Sequence, residues 1–259
     1  MAVERISTGI AGLDRLLQGG FIRGHSYLLT GESGTGKTVA CLQFLRNALK
    51  QGQKAVYVTV DERPGEILES AASFSWDFQP YIQDKNLLIL DASPYFGGRS
   101  GNAGEKGIDP QKIVADLGSY AKRLAAQILI IDPITPLILP HDPNSVSQDQ
   151  ARSLMQLIQS QLSTTNIFTA HLAKGAAGGA EQFLVSGVLI LETREVNGVF
   201  ARAIMIKKMR GTAAAPAAYP FDLVPNEGIV LTDHQEVAAP CSQLEPQIFE
   251  LFDPAKHKS

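Results

Sequence analysis

Eight consecutive residues, Gly31-Glu32-Ser33-Gly34-Thr35-Gly36-Lys37-Thr38, have the types and spacing to hold a phosphate. Glycines let the backbone wrap closely, so that successive N–H groups converge on phosphate oxygens. Gly31, Ser33, Gly34, Thr35 and Gly36 would form that wrap. Lys37 adds a positive charge for the β- and γ-phosphates. The Thr38 hydroxyl can ligate Mg²⁺ at a helix start, where the helix dipole favours anions. A merely flexible glycine turn is the plainer alternative. It would not need the strand before ("SYLLT", 26–30) and the helix after that the flanking residues predict.

Acidic residues stand where such a cradle needs carboxylates. The run "ILIID" (128–132) ends in Asp132, which suits a second Mg²⁺ contact at the end of a neighbouring strand, or equally a cap on the following turn. Asp61-Glu62 follow the run "KAVYVTV" (54–60), and a carboxylate beside the γ-phosphate can orient a water for in-line attack. Adjacent strand-end residues point in different directions. One of the pair is therefore expected to face the water, against the reading of a solvated strand end. His171 closes "NIFTAH", at the end of a further apolar run.

Short apolar runs at 26–30, 54–60, 87–92, 128–132 and 166–171 must carry these residues. They alternate with amphipathic stretches of helical length near 37–51, 64–75, 109–126 and 146–163. The alternation predicts an α/β fold with a mostly parallel sheet flanked by helices on both faces. After residue 185 the pattern changes. "GVLILETREVNGVFARAIMIKKMR" reads as two strands joined by Asn197-Gly198, and a looser hairpin follows around "PNEG" (225–228). C-terminal antiparallel β-hairpins are thus expected to extend the sheet. A single domain over 1–235 is expected, with a Gly-rich polar excursion at 95–107 and a tail over 236–259.

The bulk composition agrees. With 44% hydrophobic and 19% charged residues over 259 positions, the chain is too apolar for disorder and long enough for a sizeable core. A net charge of −3 provides no global basic field for nucleic acid or anionic lipid. The run "AAQILIIDPITPLILP" is broken by Asp132 and three prolines, too short to span a bilayer, and "MAVERISTGIAGL" lacks the apolar core of a signal peptide. Cys41 and Cys241 form no disulfide framework, so a soluble protein in a reducing, cytoplasmic compartment is expected, with Cys41 packed in the core.

A phosphate cradle alone does not separate GTPases, transporter ATPases, nucleotide kinases and motor ATPases. No NKxD or LSGGQ motif is present. With "STGIAGLDRLLQGGF", "GESGTGKT", "VTVDERPGEIL", "LLILDASP", "ILIIDPIT" and "KKMRGTAAAPAAYPF", the sequence resembles the RecA-like P-loop ATPases. Within them it resembles the KaiC family of circadian-clock proteins and their single-domain relatives, over about residues 5 to 233. The resemblance implies ATP and Mg²⁺ as cofactors and hydrolysis at the subunit boundaries of a homohexameric ring. The family carries two adjacent glutamates after the second strand. Here the first, the position usually assigned as general base in the family, is Asp61, one methylene shorter, which points to slow turnover; the second remains Glu62, which is assigned to the water with Asp61 assisting. His171 stands where related ATPases keep a polar residue that senses the γ-phosphate, and a satisfied or exposed histidine is the equal alternative.

The segment "KKMRGT" matches the part of the family that reaches across to a neighbour's nucleotide. Lys208 and Arg210, two apart on a β run, are expected to face one side and Lys207 the other. Paired cations can grip a γ-phosphate as an arginine finger does, and Thr212 can add a hydrogen bond. The plainer reading is of edge charges that guard the sheet. "AAAPAA" (213–218) leaves fewer polar contacts for base and ribose than relatives have.

Three function classes follow. A KaiC-like serine/threonine autokinase would need hydroxyls where this chain has Gln182 and Phe183, so the sequence is most similar to the first, non-autokinase repeat of the clock protein. A RecA/RadA-like DNA-dependent ATPase would need basic or aromatic loops. Segments 137–150 and 172–183 offer Lys174 against Asp142, Asp149 and Glu181. The third class is a slow ATP-dependent platform that signals, keeps time or controls a regulatory protein partner. For the apolar tail cluster "EPQIFELF", packing on the chain itself is set against docking on such a partner.

Overall fold

The computed structural model describes residues 3–93, 110–134, 147–171, 181–196 and 199–232. The expected excursion at 95–107, the tail, most of both candidate DNA loops and the Asn197-Gly198 turn lie outside the described residues. The chain begins with β1 (Arg5–Ile6), α1 (Leu13–Leu16), β2 (Phe21–Ile22), β3 (Ser26–Gly31) and α2 (Lys37–Lys50). Next come β4 (Ala55–Thr59), α3 (Pro64–Ala72), α4 (Gln79–Gln83), β5 (Leu87–Asp91), α5 (Pro110–Leu124) and β6 (Ile128–Asp132). The remainder is α6 (Ser147–Gln161), β7 (Thr165–His171), α7 (Glu181–Leu184), β8 (Gly187–Val196), β9 (Val199–Met209), β10 (Ala218–Val224) and β11 (Gly228–Leu231).

Strands β3, β4 and β6 are buried at every position, as strands covered on both faces must be. Their alternating side chains feed two cores. Tyr27, Leu29, Tyr57, Ile130 and Ile167 pack with Cys41, Phe44 and Leu45 of α2 and Ile67 of α3. Leu28, Val56, Leu129, Ile131 and Phe168 pack with Val114 and Leu117 of α5 and Leu154 and Ile158 of α6. The nine-stranded sheet runs β11-β10-β9-β8-β3-β7-β6-β4-β5. It is parallel from β8 through β5 and antiparallel from β8 to β11, the predicted mixed architecture. β1 and β2 form a separate antiparallel pair. Among the described residues no helix is long and apolar enough to cross a membrane.

Two departures from the sequence reading have local causes. α3 ends at Ala72 rather than near 75, because Ser75 takes a left-handed φ of 56° and turns Trp76 into the core. The Trp76 indole N–H then donates to the Asn226 carbonyl at 3.0 Å, in the β10–β11 turn. The second departure is in β9. A β-bulge opposite Val188/Leu189 pairs Val188 with Lys208 and Leu189 with Ile206, leaving Lys207 as the extra residue. Strict alternation therefore fails there. Lys207 and Lys208 do not point to opposite sides; both ammonium groups reach Gln182.

Candidate active site

The cradle begins where β3 ends. Gly31 has φ 151°, and a Cβ there would stand 2.0 Å from the Leu191 carbonyl oxygen of β8, so the close approach of these strands admits only glycine. Thr35 is buried, and its hydroxyl donates to the Glu32 carbonyl at 2.9 Å, which folds the loop back on itself. The chain then enters α2 at Lys37. The Lys37 ammonium donates to the carbonyls of Gly31 (2.9 Å) and Glu32 (2.7 Å). Burial lowers its pKa, an effect opposed by the charge of Asp132. Ser33, Gly34, Gly36, Lys37 and Thr38 line a cleft of about 400 Å³, while Gly31 and Thr35 shape the loop from behind.

The other walls come from the C-terminal ends of neighbouring strands, where open α/β sheets place ligands. Asp132 is buried and held at both oxygens. Tyr57 Oη donates to Oδ2 at 2.7 Å, and Thr169 Oγ1 donates to Oδ1. Burial, followed by the nearby Asp132 charge, pushes the Tyr57 phenol well above its ordinary pKa, so it stays a donor. Asp61 and Glu62 are exposed at the mouth. Thr59 Oγ1 donates to the Glu62 carbonyl at 2.6 Å, and the Arg63 N–H donates to Glu66 Oε2 at 2.7 Å, fixing the turn into α3. Partial desolvation, then the charge of Asp132, raises the pKa of both carboxyls; Glu66 and Asp61 raise that of Glu62 further. Carboxylates with an increased appetite for a proton are what a general base requires.

His171, exposed at the end of β7, also lines the cleft, and Val39, Ile67 and Leu223 add an apolar side. Thr169 was not singled out from the sequence, because threonine is ordinary in strands. Its position two residues before His171, on the same face, was the available signal.

The donor set suits a hard cation. The Thr38 hydroxyl and the Asp132 carboxylate border the same cleft, and oxygen ligands of this kind fit Mg²⁺. Among the described residues no group of three or more His, Cys, Asp or Glu could hold a metal, so such an ion would take its other ligands from nucleotide oxygens and water.

Lys208, Arg210 and Thr212 do not line this cleft. Register accounts for their separation. Met209 pairs with Gly187 and Gly187 with Tyr27, at the start of β3, whereas the cradle follows Gly31 at its end. Tyr27 and Gly31 are about 13 Å apart along a strand. The Lys208 ammonium donates to the carbonyls of Gln182 (2.9 Å) and Val185 (2.7 Å), and that of Lys207 to Gln182 Oε1 (2.8 Å). Burial and then the nearby Arg210 charge lower the Lys208 pKa. Arg210 is exposed, while its N–H donates to the Ser186 carbonyl at 2.8 Å.

The chain matches the model of the family described as "ATPase: KaiC" over residues 6–236. It is 33% identical over 239 residues to a UPF0273 protein of Methanopyrus kandleri, covering 88% of this chain and 92% of that one. It is 33% identical over 227 residues to the circadian clock oscillator protein KaiC of Parasynechococcus marenigrum, covering 86% of this chain and 44% of the longer clock protein. A crystal structure of a KaiC-like protein from Pyrococcus horikoshii superposes with a TM-score of 0.76 at 31% identity, covering 89% of this chain and all of that one.

Proposed function

The chain belongs to the KaiC family of RecA-like ATPases, and we propose that it hydrolyses Mg-ATP at the subunit boundaries of a homohexameric ring. The observation that carries this reading is the opposite placement of its two charged sets. The cradle and its carboxylates cluster at the C-terminal ends of β3, β4 and β6, while Lys208 and Arg210 sit by the N-terminal ends of β3 and β8. Cations so placed cannot serve their own cleft, but can serve the cleft of a copy stacked head to tail, and closing that contact makes a ring.

Lys37 and the loop amides bind the phosphates, and Thr38 with Asp132 would hold Mg²⁺, which when bound neutralises phosphate charge. Glu62, with Asp61 assisting, orients the attacking water and accepts its proton. The bond from the terminal phosphorus to the bridging oxygen breaks, and the neighbour's Lys208 and Arg210 stabilise the charge that gathers on the phosphoryl oxygens. A slow cycle of this kind suits a timing, signalling or partner-controlling role better than a motor.

Sizing the purified protein with and without ATP, while measuring phosphate release, tests the reading. ATP hydrolysis by an assembled ring is expected. Full-rate hydrolysis by a monomer would overturn it.

A further inference from the structure

We propose that Arg5 is a positioning residue for the neighbouring active site: it clasps the turn after β9 and so sets where Lys208 and Arg210 are presented. The inference rests on the ring reading above and extends it to a residue that does not line its own cleft. Arg5 lies on β1, half-buried. Its Nη1 donates to the carbonyls of Leu17 and Gly20 and to Thr212 Oγ1, each at 3.0 Å. Its Nη2 donates to the Gly211 carbonyl at 2.9 Å. One planar guanidinium thus ties the turn between α1 and β2 to the turn after β9, whose Gly211 and Thr212 lie 206 and 207 positions from Arg5, a bridge that its rigid fork suits and a single ammonium does not.

Gly211 has φ 69° and lies over the side chain of Ile22, the residue paired with Arg5 across β1 and β2. The Arg210 N–H is tied to Ser186. The backbone is therefore fixed on both flanks of an exposed guanidinium, as expected for a group that must meet a transferring phosphoryl held by another chain. Misplacement by about 1 Å can cost about a hundredfold in rate. Arg5 acts through Thr212 and Gly211.

The test separates a lender's defect from a borrower's. Arg5→Ala alone is expected to lower kcat at least about tenfold with KM for ATP within about twofold, because its own cradle is intact. Arg5→Ala subunits are then co-expressed with Glu62→Gln subunits. At a random boundary a sound cradle meets a sound finger about one time in four, so turnover should recover to about a quarter of the parent rate. Arg210→Ala co-expressed with Glu62→Gln is the parallel control. If that pair recovers and the Arg5→Ala pair does not, Arg5 acts within its own subunit, and the inference falls while the ring reading stands. If neither pair recovers, the ring reading falls and takes the inference with it. Should Arg5→Ala not fold, Arg5→Lys keeps the charge and loses the bridge, and the same recovery is expected of it; an Arg5→Lys protein with parent kcat would overturn the inference.

Discussion

The Tyr57 hydroxyl donates to Oδ2 of Asp132 at 2.7 Å, between the adjacent strands β4 and β6. With Thr169 on Oδ1, both oxygens of the buried carboxylate are oriented from neighbouring strands. A carboxylate fixed this way can offer its remaining lone pairs to a cation in one direction only. Tyr57→Phe is therefore expected to raise the Mg²⁺ concentration for half-maximal ATP turnover on the order of tenfold, and to cost about 1 kcal/mol of stability. A Mg²⁺ titration of phosphate release and a thermal melt read the two effects. Unchanged values in both would remove the tyrosine from the metal's support.

Glu62 and Asp61 carry a stability cost that should be visible in pH dependence. Both have pKa values raised on folding, chiefly by desolvation and next by Asp132. The folded form thus binds protons more tightly, so these groups favour folding below their raised pKa values and lose that contribution as pH climbs through them. Above those raised values both carry charge beside Asp132, which disfavours the folded form. Glu62→Gln should then raise the melting temperature at pH 7 by about 1–2 °C, a small gain because the side chain is exposed and screened. The gain should shrink as pH falls through the raised pKa of Glu62, where the parent carboxyl takes up its proton too. Turnover should fall on the order of 10²–10⁴-fold, and the acid limb of the parent rate profile should lie above the ordinary carboxylate range. Equal hydrolysis after Glu62→Gln and Asp61→Asn together would remove the assignment.

Gly31 offers a test of the cradle's frame apart from its chemistry. A methyl group 2.0 Å from the Leu191 carbonyl cannot be accommodated without moving β8 from β3. Gly31→Ala should lose roughly 3 kcal/mol or more and lower the melting temperature by about 6 °C or more. Gly34→Ala meets no atom within 4 Å and pays only for its left-handed φ of 77°, so its loss should be the smaller. Equal losses would mean that the strand contact is not what excludes a side chain at 31.

The cradle, Asp132 and the Asp61-Glu62 pair were legible in the sequence because each is tied to a strand end, and strand ends follow from apolar runs. The two hairpins were legible from Asn197-Gly198 and from "PNEG", where Asn226 does take a left-handed φ of 67°. Other features left no local trace. β1, β2, α1, α4 and α7 are too short to show a period. Tyr57 and Thr169 read as ordinary strand residues until register brings them to Asp132. The bulge at Lys207 changes a side-chain direction without changing composition, and Arg5 gains its meaning only from partners near residue 211.

Lys208 and Arg210 should separate by their effects on stability. The Lys208 ammonium holds the carbonyls of Gln182 and Val185, so Lys208→Met leaves two acceptors without that donor and should cost about 1–2 kcal/mol. Arg210 is exposed, and Arg210→Ala should shift the melting temperature less. Turnover should order them otherwise. Loss of a finger-type cation costs on the order of 10³-fold in kcat, and both variants should approach that with ATP affinity nearly unchanged, because neither touches its own cradle. Melting curves, nucleotide titration and phosphate release on the same preparations decide the matter. Full turnover by Arg210→Ala, or a loss of nucleotide affinity as large as its loss of rate, would place these charges outside the chemistry; the structure already removes the reading of edge guards, because β9 lies between β8 and β10.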